Sequence, residues 1–109
     1  MNLVTTHVLD TTAGEPVTGV AIVLEYCEQP MQSWIILSRG ETGDDGRLRG
    51  FCTIDHLPQT GLYRLRFDTS RHSPFFPEVI IQFFVSDLGQ HYHIPLLLSR
   101  FGYTTYRGS

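Results

Sequence analysis

A chain of 109 residues fits one domain, spanning residues 1–109, built around one hydrophobic core. Its basic residues are all arginines, eight of them, scattered along the chain. With a net charge of -3 this argues against a nucleic-acid partner. No run approaches the ~18–20 consecutive apolar residues of a membrane span, so no membrane partner is expected. The opening Met1-Asn2-Leu3-Val4-Thr5-Thr6 lacks the basic and apolar regions of a leader, so the expected location is cytoplasmic.

Taken in chain order, the apolar runs are short, rich in Val, Ile, Phe and Tyr, and bounded by Gly, Pro, Asp or Ser, which is the signature of strands. The pattern predicts strands at Val4–Leu9, Val20–Tyr26, Trp34–Ser38, Arg47–Phe51, Gly61–Phe67, Glu78–Val85, His91–Leu98 and Gly102–Arg107. Turn-rich segments such as Thr11–Pro16 and Thr42–Gly46 separate them. Eight short strands in sequence imply an all-β sandwich. Breakers or β-branched runs interrupt every window with helical spacing, so at most one short helical turn is expected. In the fifth strand, Tyr63, Leu65 and Phe67 form a packing face, while Leu62, Arg64 and Arg66 form a solvated one. Pro95 removes a ladder donor within its strand and predicts a local irregularity there.

Charged residues make up 17% of the chain, below the ~25% usual for globular domains, which suggests that another subunit covers part of the surface. The two cysteines, Cys27 and Cys52, have no CxxC spacing and read as small buried hydrophobes in a reducing compartment.

Five histidines are the candidates for chemistry. His56 and His72 fall in polar turns and carry no expected role. Strand parity turns His7 away from Val4, Thr6 and Val8, and turns His91 and His93 away from Tyr92, Ile94, Leu96 and Leu98. Two outward histidines with nearby arginine and a Ser- and Tyr-containing tail suit a metal-free hydrolytic site. In it a neutral imidazole would serve as base and arginine would stabilise developing negative charge. A zinc site built on His91-x-His93 is the competing reading. It ranks below solvated or interface histidines, because a third ligand would have to come from afar.

Three blocks then carry a resemblance: His7-Val8-Leu9-Asp10, Asp45-Gly46-Arg47, and His93-Ile94-Pro95-Leu96-Leu97-Leu98-Ser99 running on to Gly102-Tyr103-Thr104-Thr105-Tyr106-Arg107-Gly108-Ser109. Phe75-Phe76-Pro77-Glu78-Val79 adds a softer match. The chain resembles transthyretin-related proteins of the 5-hydroxyisourate hydrolase type, and the terminal Tyr-Arg-Gly-Ser sets that type apart from hormone-carrying transthyretins. The resemblance implies a transthyretin-like sandwich of two four-stranded sheets with a short or absent helix. One sheet would order its strands fourth, first, seventh, eighth. It also implies a homotetramer, a dimer of dimers, with active sites in the channel between dimers, and the opening of the 5-hydroxyisourate ring in purine catabolism with no cofactor.

Carried over by position, the resemblance makes His7, Arg47, His93 and Ser109 catalytic. Tyr106, Arg107 and Gly108 become the motif that shapes the pocket, while Arg49 and His91 lie outside the pattern. Ser109 is expected to orient water or substrate, not to act as a covalent nucleophile. Two departures stand out: Arg100 occupies a position that is usually proline, and the connection Thr69–Pro74 is short, so the family's helix should be reduced or missing. Two other classes remain open, a non-enzymatic small-molecule carrier using the same channel and a generic β-sandwich interaction module.

Overall fold

A computed structural model describes residues 4–48 and 57–108. Eight strands form among the described residues: β1 (Val4–Asp10), β2 (Glu15–Pro16), β3 (Ala21–Glu28), β4 (Ser33–Glu41), β5 (Gly61–Asp68), β6 (Glu78–Val85), β7 (Tyr92–Leu98) and β8 (Tyr103–Thr105). They pair into two four-stranded sheets, β2-β1-β7-β8 and β4-β3-β5-β6. The all-β sandwich is as the sequence implies, and no helix forms among the described residues.

The alternation that predicts strands also builds the core. Val4, Thr6 and Val8 of β1, Tyr63, Leu65 and Phe67 of β5, and Tyr92, Ile94, Leu96 and Leu98 of β7 are all buried between the sheets. Each such apolar side chain contributes about 1.5–3 kcal/mol through burial. The opposite face of β5 is less open than alternation alone suggests. Arg64 and Arg66 close over Glu25, at 2.9 and 3.3 Å, and Arg64 stacks on Trp34 at 4.0 Å. Burial pushes the Glu25 carboxyl up, but its bonds to Arg64 and then Arg66 outweigh that and hold it below the usual carboxylate range.

Two elements depart from expectation, and a third is described only in part. Of the strand predicted at Arg47–Phe51, the described residues show two single bridges, His7 with Arg47 and Thr42 with Leu48. Arg49, Gly50 and Phe51 lie outside the described residues. The edge of β1 is therefore shared between Arg47, opposite His7, and the two-residue β2, opposite Leu9 and Asp10. Periodicity is blind to a strand of two residues. β4 runs on to Glu41 because its pairing with β3 extends past the apolar stretch, through a register shift that leaves Leu37 as the extra residue.

Pro95 leaves the parallel β1–β7 register unbroken, but it interrupts the other side of its strand. The β7–β8 ladder runs from Leu98↔Tyr103 to Leu96↔Thr105, lapses, and resumes at His93↔Gly108. Backbone bonds join Ser99 to Gly102 and Gly108 to His93. Bonded pairs recur every second residue in an antiparallel ladder, so the next would need an N–H from Pro95, which has none. The Pro95 carbonyl instead accepts from Thr105 Oγ1 at 2.7 Å.

The connection after β5 is one tight turn, with Ser73 N–H donating to Thr69 O at 3.0 Å. Ser73 Oγ donates onward to the Arg100 carbonyl at 2.6 Å. Arg100 thus sits in a turn that closes between Ser99 and Gly102.

Candidate functional site

The parallel pairing of β1 with β7 sets Thr5 opposite His93 and His7 opposite Pro95, so residues almost ninety positions apart share one outward face. His7 and His93 are both half-buried and stand two register positions apart. Strand spacing and rise put their Cα atoms roughly 8 Å apart. Thr5, Thr6, Arg47, Leu48, His91 and His93 line a cleft of about 390 Å³ on this face.

The Asp45-Gly46-Arg47 block has a structural cause. Gly46 holds a positive φ of 76°, and a Cβ there would lie 2.4 Å from the Val8 carbonyl oxygen and 3.2 Å from His7 Cδ2. Only glycine fits this backbone conformation at that approach. The tight turn is closed by Gly46 N–H donating to Gly43 O, and Val8 N–H donating to Gly46 O at 2.8 Å pins it to β1. Asp45 Oδ1 accepts from the Arg47 N–H at 3.0 Å. The Asp45 carbonyl lies 2.7 Å from His7 Nε2. A carbonyl only accepts, so His7 carries its proton on Nε2, and when neutral it keeps a lone pair on Nδ1.

His93 is held from two sides. Thr5 Oγ1 lies 2.8 Å from its Nδ1, and the Gly108 N–H donates to its carbonyl at 2.7 Å. The tail backbone lies against the ring, since a Cβ on Gly108 would fall 2.5 Å from His93 Cδ2. Burial holds the His93 pKa below the ordinary 6.5, and the charges of Arg47, His91 and His7 push the same way. His93 is therefore neutral near pH 7, as a base must be.

The structure brings His7, Arg47, His93 and the backbone of Gly108 together. Tyr106 and Arg107 turn elsewhere, lining an apolar groove of about 340 Å³ with residues such as Phe83, Phe84 and Tyr92. There Arg107 stacks over Tyr92 at 4.6 Å and donates to Gln90 Oε1 at 3.0 Å. Ser109 lies outside the described residues. His91, which lies outside the resemblance's site pattern, and Thr5 belong to the cleft, and Thr5 Oγ1 also lies 2.7 Å from His91 Nε2. The outward parity of His91 was the available signal. Among the described residues, no three His, Cys, Asp or Glu side chains converge as metal ligands.

A two-sheet sandwich with a histidine- and arginine-lined cleft on one outward face defines the class of protein. Residues 4–108 match the HIUase/Transthyretin family, and the chain belongs to it. It is 42% identical over 111 residues to a 5-hydroxyisourate hydrolase of Mus musculus, covering 96% of this chain and 93% of that protein. A 5-hydroxyisourate hydrolase of Salmonella typhimurium is 39% identical over 114 residues, covering 99% of this chain and 82% of that protein. Among solved structures, transthyretin from Sparus aurata superposes with a TM-score of 0.90 at 28% identity, covering 99% of this chain and 97% of that one.

Proposed function

We propose that this chain is a hydrolase that opens 5-hydroxyisourate to 2-oxo-4-hydroxy-4-carboxy-5-ureidoimidazoline, in urate degradation. The observation that carries the reading is that Arg47 and His93 line one cleft, with His7 bridged to Arg47 beside it, in a chain similar along most of its length to 5-hydroxyisourate hydrolases.

In the proposed reaction His93 Nε2 takes a proton from water as the oxygen bonds to a ring carbonyl carbon. The oxyanion collapses to expel the adjacent ring nitrogen, which receives the proton from His93, and the carboxylic acid formed loses its remaining proton to solvent to give the carboxylate. A positioned base of this kind contributes ~10²–10⁴-fold. Arg47, permanently charged and fork-shaped, binds the polar edge of the ring and the oxyanion. His7, anchored through Nε2 to Asp45, presents Nδ1 as an acceptor for a substrate N–H or O–H. The Gly108 backbone fixes the His93 ring, and Ser109 orients water or substrate.

The active assembly is a homotetramer, a dimer of dimers with the cleft facing the channel between dimers. The exposure of Phe84, Phe101, Tyr103 and Tyr106 in the isolated chain supports such an assembly. Tyr106 and Arg107 then act on the pocket through the arrangement of subunits, and light scattering reads the mass directly. Deleting Arg107–Ser109 separates the hydrolase from a carrier or interaction module. The hydrolase loses turnover of freshly made 5-hydroxyisourate, whereas a truncated chain that turns over as well as the intact one refutes the reading.

A further inference from the structure

The Thr5 hydroxyl stands between two imidazoles, 2.7 Å from His91 Nε2 and 2.8 Å from His93 Nδ1. A hydroxyl has one proton to donate, so it cannot donate to both rings at once. If it donates to His91 Nε2, it is free to accept from a proton on His93 Nδ1, and His93 Nε2 then carries the lone pair that a general base needs. If it donates to His93 Nδ1, the His93 proton sits on Nε2 and the base is switched off.

We propose that His91 and Thr5 are positioning residues that set the tautomer of His93, with neutral His91 accepting the Thr5 proton. The proposal rests on the reading of His93 as the base. The chain of bonds runs His93 Nδ1–H to Thr5 Oγ1, and Thr5 O–H to His91 Nε2. It serves both halves of the reaction, because His93 keeps its Nδ1–H bond to Thr5 after taking a second proton on Nε2. No hydroxyl rotation is needed between the two states.

Protonated His91 has two N–H donors and no acceptor, so its Nε2–H would donate to Thr5 and turn the Thr5 proton towards His93 Nδ1. Among the described residues, the charged or titratable groups acting on His93 are Arg47, His91 and His7, and the His91 and His93 rings lie 6.3 Å apart. Arg47 and His7 oppose protonation of His93 without contributing to its bond with Thr5. Of these three, His91 is the one bonded to the Thr5 hydroxyl.

The test is a double-mutant cycle on the intact chain with Thr5→Val, His91→Phe and the pair, together with His91→Gln, whose amide oxygen accepts without titrating. Each single change is expected to lower kcat about tenfold, less than the ~10²–10⁴ that a positioned base contributes, with KM within about twofold. The double variant should match Thr5→Val alone, because His91 acts through Thr5. His91→Gln should keep kcat within about threefold of wild type. Long-range ¹⁵N–¹H correlation should show His93 protonated on Nδ1 in wild type and His91→Gln, shifting to Nε2 in His91→Phe. Additive losses, a silent His91→Phe, or a His93 tautomer indifferent to position 91 overturns the proposal. Wild type without turnover, but with a His93 tautomer that follows His91, instead refutes the hydrolase reading and supports the relay.

Discussion

Adding one methyl group to Gly108 puts a carbon 2.5 Å from His93 Cδ2, 3.2 Å from Cγ and 3.4 Å from Cβ. Carbon atoms prefer about 3.5–4.0 Å, so either the ring or the tail must move by roughly 1 Å. The Gly108 N–H bond to the His93 carbonyl resists movement of the tail, and the Thr5 bond to Nδ1 resists movement of the ring. A misplacement of this size at a reacting group costs about 10²-fold, equivalent to roughly 2.7 kcal/mol of transition-state stabilisation. Stability should change by less than about 1 kcal/mol, because Gly108 lies outside the core and its side of the ladder already lapses at Pro95. Gly108→Ala should therefore lower kcat/KM about a hundredfold in a 5-hydroxyisourate decay assay, with Tm within a few degrees of wild type. Gly102→Ala is the control, since its added carbon meets Ser99 Oγ at an ordinary 3.6 Å and should leave both quantities unchanged. Near-wild-type turnover in Gly108→Ala would refute the close-approach argument.

Gly46→Ala combines a positive φ, costing about 1–2 kcal/mol, with a 2.4 Å approach to the Val8 carbonyl. Thermal denaturation should show a loss of at least about 2 kcal/mol, and an unchanged Tm would contradict the structural reading of this glycine. Arg47→Lys keeps the charge but loses the fork, so kcat/KM should fall at least about tenfold with Tm unchanged. Because the folded state lowers the His93 pKa, the unfolded chain binds the proton more tightly at this site. That contribution is neutral above about pH 6.5 and destabilises the fold as pH falls below it, while the acid limb of kcat/KM should also have its midpoint below 6.5. Denaturant titrations between pH 7 and 5 read the stability change, and His93→Gln should flatten it.

The parts of this molecule legible in its sequence are those governed by period-two alternation. The inward set Val4, Thr6 and Val8 and the outward His7 follow from parity alone, as do Tyr63, Leu65 and Phe67. β2 was not legible, because two residues carry no period, and their pairing depends on the turn after Asp10, whose Oδ1 accepts from the N–H groups of Thr12 and Ala13. The irregularity at Pro95 was legible, but not its sidedness, which depends on whether β1 or β8 lies across from the missing donor. In the site, the resemblance singled out Gly46 and Gly108 as letters of a motif. Their physical reason, the close approach to Val8 and to the His93 ring, needs coordinates. Thr5 and His91 were passed over for a related reason. Their link to His93 is a side-chain bridge across strands more than eighty residues apart in sequence, which neither spacing nor composition encodes.

The central claim, that the site on the outward face of β1 and β7 hydrolyses 5-hydroxyisourate, is tested most directly by following the absorbance decay of the freshly generated compound with wild type and with His7→Ala. Wild type should accelerate the decay far above the spontaneous rate, and His7→Ala should lose most of that acceleration while staying folded. Decay at the spontaneous rate with both proteins would contradict the assignment.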